Sequence, residues 1–347
     1  MIEIAGRKIG AGFEPYVVCE LSGNHNGSLE RALTLVDAAA ATGCDAIKIQ
    51  TYTPDTITLD SDAPDFLVRD GLWDGMSLHA LYQLAYTPYE WHGALFERAA
   101  QHGVPMFSTP FDDTAVDLLE SLNAPAYKIA SFEVVDLPLI ARVAQCKKPM
   151  IISTGMANET EMAEAVDTAF SNGAAGVALL HCTSSYPAPM DSANVRNVPM
   201  LAGHFGVEAG LSDHTMGTAA SVAAVALGAC LIEKHFTLAR ADGGPDADFS
   251  LEPTEFSALV RDCKDAWHAL GRAGFERAGV EVGNIKFRRS LYVVADVAAG
   301  EALTPANVRS IRPGLGLAPK VLPQVLGRTA SRDLRRGEPL AWDMIGP

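Results

Sequence analysis

The chain has 347 residues and a formal charge of −15, from 42 acidic against 27 basic side chains. That balance excludes nucleic acid and anionic membrane surfaces as partners, but not a small anionic substrate, whose site must then be built from local cations and backbone N–H groups. With 48% hydrophobic residues and no uncharged apolar run of about 18 residues, a large buried core and no membrane span are predicted. The start, MIEIAGRKIG, has no signal-like apolar segment. Cys19, Cys44, Cys146, Cys182, Cys230 and Cys263 are scattered without a CxxC, which reads as reduced thiols in a cytoplasmic protein.

Residues 1–15 predict a short hairpin with Gly10 and Gly12 as turn residues. A period follows. Strand-like runs fall at Tyr16–Glu20, Ala46–Gln50, Pro105–Thr109, Ala126–Ile129, Met150–Ser153, Val177–Cys182, Val207–Leu211 and Cys230–His235. Amphipathic helices are predicted at Ser28–Thr42, Pro88–His102, Asp113–Leu122, Leu137–Cys146, Glu159–Asn172 and Pro253–Leu270, with a small-residue helix after Gly217. Eight strands alternating with helices is the count of a (β/α)8 TIM barrel; an open doubly wound sheet ranks lower because no GxGxxG follows the first strand. The longest interruption, Thr51–Thr87, lies on the side where such folds bind substrates and is expected to shape specificity. Residues 1–270 thus form the barrel domain, 271–286 a linker and 287–347 a small β-rich C-terminal domain, expected to dock on a barrel because it is marginal alone.

Every predicted strand ends in polar residues. Lys48 and Lys128 interrupt apolar runs (AIKIQ, YKIAS) and have three readings: a Schiff-base nucleophile, a phosphate or carboxylate clamp, or a structural ion pair. Ser108, Thr109, Ser131, Ser153 and Ser212 beside them favour the clamp. His214 and His235, on neighbouring strand ends, read as a metal pair with open positions or as two satisfied core histidines. Glu20 and Glu133 suit proton transfer or hydroxyl binding, or else rim salt bridges. Gln50 and Tyr186 are further strand-end polar groups. Asp246, in GGPDADFSLEP, is a ligand for a sugar hydroxyl or a turn aspartate. Arg312, before a Pro-Gly turn, either projects into a neighbour's site or is simply exposed.

The motifs ELSGNHNGS, AIKIQTYTPDTIT, FSTPFD, YKIASFE, STGMA, LHCTSSYPAP, GLSDHTMG, IEKHFTL and FSLEP resemble the sialic acid synthase family, over nearly the whole chain. GLWDG, TPYEWH, YKIASFE and CTSSYP are most similar to its pseudaminic acid branch, which condenses phosphoenolpyruvate with 2,4-diacetamido-2,4,6-trideoxy-altropyranose; the neuraminate and legionaminate branches are the alternatives. Ser184 stands where the neuraminate branch usually has Asn, so what that Asn holds is in doubt here. The resemblance implies a barrel with an antifreeze-like (SAF) domain and a carbon–carbon bond-forming transferase. It also implies a divalent metal, manganese before magnesium or cobalt, on His214 and His235. Lys48, Thr109, Lys128, Ser131, Ser153, Ser184 and Ser212 would hold phosphoenolpyruvate. Glu20, Gln50, Tyr186 and Asp246 would meet the N-acetylated amino sugar or metal-bound water, and Glu20 would orient or deprotonate groups there. Arg312 would reach across a domain-swapped homodimer.

Overall fold

The computed structural model describes residues 1–69 and 71–347, in two compact units, Met1–Gly271 and Arg272–Pro347. The first opens with an antiparallel hairpin, β1 (Ile2–Ile4) and β2 (Arg7–Ile9). Its turn is Ala5–Gly6, both at positive φ (49° and 82°), and not Gly10 and Gly12, which lie beyond the second strand. Eight parallel strands then close a barrel: β3 (Tyr16–Glu20), β4 (Ala46–Thr51), β5 (Met106–Pro110), β6 (Tyr127–Ile129), β7 (Pro149–Ser153), β8 (Gly176–Cys182), β9 (Glu208–Asp213) and β10 (Leu231–His235). Each pairs with its sequence neighbour, and β10 pairs with β3 to close the ring. The seventh barrel strand runs two residues further than its apolar run suggests, so Ser212 and Asp213 are inside it.

Helices start where the chain supplies caps. The Ser28 hydroxyl accepts from Arg31 N (3.3 Å), Asp112 accepts from Thr114 N (2.7 Å) and Ala115 N (3.1 Å), and Asn158 with Glu161 forms a reciprocal capping box. The helix Asn197–Phe205 has no counterpart in the sequence pattern, because it buries only Val198 and Leu201. The Thr51–Thr87 insertion holds a four-residue helix, Pro54–Ile57, and an eight-residue one, Leu78–Ala85.

Two apolar layers follow from the period of a strand. Val17, Cys19, Ile47, Ile49, Tyr127, Ile152, Leu179, Leu211 and Ile232 face outward onto the helices. Tyr16, Val18, Ala46, Phe107, Ala126, Ile151, Ala178, Leu180 and Leu231 face inward and pack with Ile2, Ile4 and Ile9, so the hairpin plugs the N-terminal end of the barrel. Burial of each large side chain here is worth about 1.5–3 kcal/mol. Gly210 is required in β9: a Cβ there would stand 2.1 Å from Leu231 O and 2.8 Å from Leu180 Cδ2. The interior is thus sealed below, and the same strands carry polar residues above.

The second unit has an antiparallel pair, β11 (Ser290–Val293) and β12 (Val308–Ile311), joined by short bridges such as Val297–Leu334 and Ala330–Ile345. Its own core is built on Leu291, Val293, Leu303, Val308, Val325, Leu334 and Leu340. Residues 272–287 belong with this unit and carry the short helix Gly279–Val282. Among the described residues, no helix is long and apolar enough to cross a membrane, and the six cysteines are free thiols.

Candidate active site

The inward alternation continues past the apolar layer. Glu20 follows Val18, Lys48 follows Ala46, Thr109 follows Phe107 and Lys128 follows Ala126. Ser153 follows Ile151, Cys182 follows Leu180, Ser212 follows Gly210, and Glu233 and His235 follow Leu231. One polar layer therefore crowns the barrel at the C-terminal ends of its strands, where catalytic groups of such barrels sit.

Its centre is a buried cluster of four charges. Lys48 Nζ lies 2.5 Å from Glu20 Oε2 and 3.6 Å from Glu233 Oε1, and Lys128 Nζ lies 3.2 Å from the same Glu233 oxygen. Lys48 also donates to Thr109 Oγ1 (3.1 Å), and Ser212 Oγ to Glu233 Oε1 (3.5 Å). Burial alone would depress the Lys48 ammonium, but Glu20 and Glu233 beside it hold it above the usual lysine range. Lys128 is lowered, by burial that Glu233 offsets only in part. Burial raises Glu20, against the pull of Lys48. Burial would raise Glu233 too, but Lys128 and Lys48 hold it low. Glu233, a strand-end carboxylate beside the histidine pair, is the group that ties the two lysines together. A charged Lys48 is the opposite of an activated Schiff-base amine.

Beside the cluster, Gly155 N donates to Ser131 Oγ (3.1 Å), and a Cβ at Gly155 would stand 2.2 Å from Ser184 Oγ. Glycine is what lets this backbone N–H and the two hydroxyls share one concavity. Ser153 Oγ is buried without a hydrogen-bond partner, as is one oxygen each of Glu133 and Glu233. Such atoms are costly unless a ligand completes them.

His214 and His235 have ring centroids 5.3 Å apart. His214 Nδ1 lies 3.1 Å from Thr183 O, which directs Nε2 away from the backbone, and 3.8 Å from Cys182 Sγ. Burial would raise the Cys182 thiol, but His214 and the groups around it pull it down to about 7. Burial, with His214 and the ammonium groups of Lys48, Lys128 and Lys234 nearby, holds His235 well below the usual histidine range, so it is a neutral imidazole, and its buried Nδ1 has no hydrogen-bond partner. Among the described residues, no group of three or more His, Cys, Asp or Glu is gathered about one point. The donor set fits a divalent cation held by two imidazoles, with its remaining positions left to water and substrate.

The polar ring extends outward. Gln50 Nε2 donates to Glu20 Oε1 (3.2 Å). The Asp246 carboxylate accepts from the Ser22 hydroxyl and from Gly23 N (3.3 Å), and burial raises it. Burial pushes Glu133 up to about 7. The Tyr186 ring lies 4.4 Å from His214 and 5.2 Å from Phe249. Arg312 belongs to the second unit, exposed just after β12.

Other strand-end polar groups serve the scaffold. Asp213 and Lys234 alternate outward and pair at 2.8 Å beside Ser221. Asn24 ties Phe236 O (2.8 Å) to Ser250 Oγ (2.9 Å). His25 packs edge-on to Trp91, and Ser108 bonds Thr51 Oγ1 (2.6 Å) on the helix side.

A closed parallel barrel crowned by buried lysines, hydroxyls and a histidine pair defines an enzyme that handles an anionic substrate. The NeuB family model matches residues 35–274 and the SAF domain model residues 288–346, and the chain belongs to the NeuB family. It is 44% identical over 325 residues to the pseudaminic acid synthase of Campylobacter jejuni subsp. jejuni serotype O:2, covering 94% of this chain and 95% of that protein. The pseudaminic acid synthase of Helicobacter pylori is 42% identical over 335 residues, covering 95% and 98%. Among solved structures, an N-acetylneuraminic acid synthetase from Leptospira borgpetersenii serovar Hardjo-bovis superposes with a TM-score of 0.73 at 29% identity, over 82% of this chain and 94% of that one.

Proposed function

We propose that the chain catalyses the reaction of a pseudaminic acid synthase, joining phosphoenolpyruvate to 2,4-diacetamido-2,4,6-trideoxy-altropyranose with release of phosphate. The identity of 42–44% to pseudaminic acid synthases over nearly the full chain supports the substrate. The observation that carries the chemistry is the buried Lys48–Glu20–Glu233–Lys128 cluster, beside which the Ser153 hydroxyl has no partner and Ser131, Ser184 and Gly155 N share one concavity.

In this reading, Lys48 and Lys128 neutralise the phosphate and carboxylate of phosphoenolpyruvate. Thr109, Ser131, Ser153, Ser184, Ser212 and Gly155 N donate to their oxygens. The methylene carbon of phosphoenolpyruvate attacks the aldehyde carbon of the open-chain sugar. Water adds to the resulting cationic carbon, and the tetrahedral intermediate expels phosphate by C–O cleavage. Glu20, raised by burial and tied to Gln50, orients the attacking water and takes its proton. Glu133, Tyr186 and Asp246 hold the sugar. His214 and His235 hold a divalent cation, manganese in this proposal, which when bound supplies Lewis-acid polarisation of the aldehyde oxygen. The chain acts in the cytoplasm as a homodimer, with Arg312 of one copy contacting the sugar bound by the other. The test is phosphate release from phosphoenolpyruvate with each candidate sugar.

A further inference from the structure

The Thr51–Thr87 insertion brings aromatic side chains over the strand ends. Tyr52 is buried at the end of β4, edge-on to Tyr82 (5.7 Å) and Phe111 (5.1 Å). Trp73, further along, does two things. Its Nε1 donates to Pro245 O (3.0 Å), and its ring lies 5.9 Å from that of Tyr186. Pro245 precedes Asp246, and Tyr186 packs on His214. The indole therefore reaches, in one step each, two of the three groups placed around the sugar, Tyr186 by its ring and Asp246 through the neighbouring Pro245.

The chemistry of the sugar, taken from the proposed reaction on which this inference rests, calls for such a surface. A 2,4-diacetamido-2,4,6-trideoxy sugar lacks the 4- and 6-hydroxyls of N-acetylmannosamine and carries a C6 methyl and a second acetamido methyl instead. Hydrogen bonds cannot recognise groups that are absent. An apolar face can pack on the methyls and leave an added hydroxyl unpaired. Indole and phenol rings supply that area at low side-chain entropy.

We propose that Trp73 is a specificity-determining residue: its indole, backed by Tyr186, is the wall against which the deoxygenated, methyl-bearing side of the sugar packs. Wild type, Trp73→Phe and Trp73→Ala are compared with the diacetamido sugar and with N-acetylmannosamine, the latter as substrate or, where turnover is below detection, as competitive inhibitor. Circular dichroism confirms folding of each variant. The expected result for Trp73→Ala is a loss of ~10–100-fold in kcat/KM for the diacetamido sugar, mainly through its KM. N-acetylmannosamine changes by no more than ~3-fold, and the phosphoenolpyruvate KM stays within ~2-fold. Trp73→Phe, which keeps a ring but loses the bond to Pro245 O, retains most of the discrimination. A parallel loss for both sugars, a matching rise in the phosphoenolpyruvate KM, or a Trp73→Phe variant as indiscriminate as Trp73→Ala would overturn the wall and leave only a loop tether. Wild-type protein that turns over neither sugar would instead overturn the proposed reaction.

Discussion

One oxygen of Glu233 lies 3.2 Å from the ammonium of Lys128, and 3.6 Å from that of Lys48 as well. A single carboxylate thus holds two buried cations at the centre of the barrel. Without it Lys128 would lose its carboxylate partner, and Lys48 would keep only Glu20.

If the lysines clamp phosphoenolpyruvate, Lys128→Met raises its KM by roughly 10–100-fold, as expected for loss of a charge-assisted hydrogen bond worth about 1.5–3 kcal/mol, with a smaller change in the sugar KM. Borohydride with both substrates then traps no covalent adduct in the wild type. An adduct mapped by mass spectrometry to Lys128 or Lys48 would support an aldolase instead.

His235 is neutral and has a buried ring nitrogen without a partner. Chelation of the wild-type protein is expected to abolish phosphate release, and added manganese to restore it. His235→Ala is expected to fold, by circular dichroism, and to remain inactive at any manganese concentration. Normal turnover by metal-stripped His235→Ala removes the metal role.

Glu133 is raised by burial from 4.5 to about 7. Between these values the folded state holds the proton more tightly than the unfolded state, so stability falls as pH rises through this window. The loss is about 2 kcal/mol after allowance for partial exposure. Denaturant midpoints measured from pH 4.5 to 7.5 should decline in wild type relative to Glu133→Gln, whose curve lacks this component. Parallel curves would show that Glu133 ionises normally.

Complementation tests the dimer. Arg312→Ala and His235→Ala proteins, each inactive or weak, are refolded together. An arginine acting across the dimer leaves one intact site per mixed pair, so activity returns. An arginine acting within its own chain gives none.

The count of apolar runs made the barrel legible, and the polar strand ends made the active end legible. The period of two within those ends is what separates site from scaffold. In Ser-Asp-His and Glu-Lys-His the outer members face inward and the middle ones, Asp213 and Lys234, pair on the helix side. Glu233 was obscured because its role appears only when β4, β6 and β10 converge on it, three segments distant in sequence. Gly155 was obscured because its value is the space it leaves for Ser131 and Ser184. The helix Asn197–Phe205 buries too few apolar residues to show a period. The hairpin turn falls at Ala5–Gly6 because only two residues separate the strands, and Gly10 and Gly12 lie beyond it.

The central claim is tested most directly by incubating the protein with phosphoenolpyruvate, manganese and, separately, the altro-configured diacetamido sugar, N-acetylmannosamine and the legionaminic acid precursor. The account predicts stoichiometric phosphate release with the highest kcat/KM for the altro-configured sugar. No release with that sugar, alongside turnover of either of the others, would contradict it.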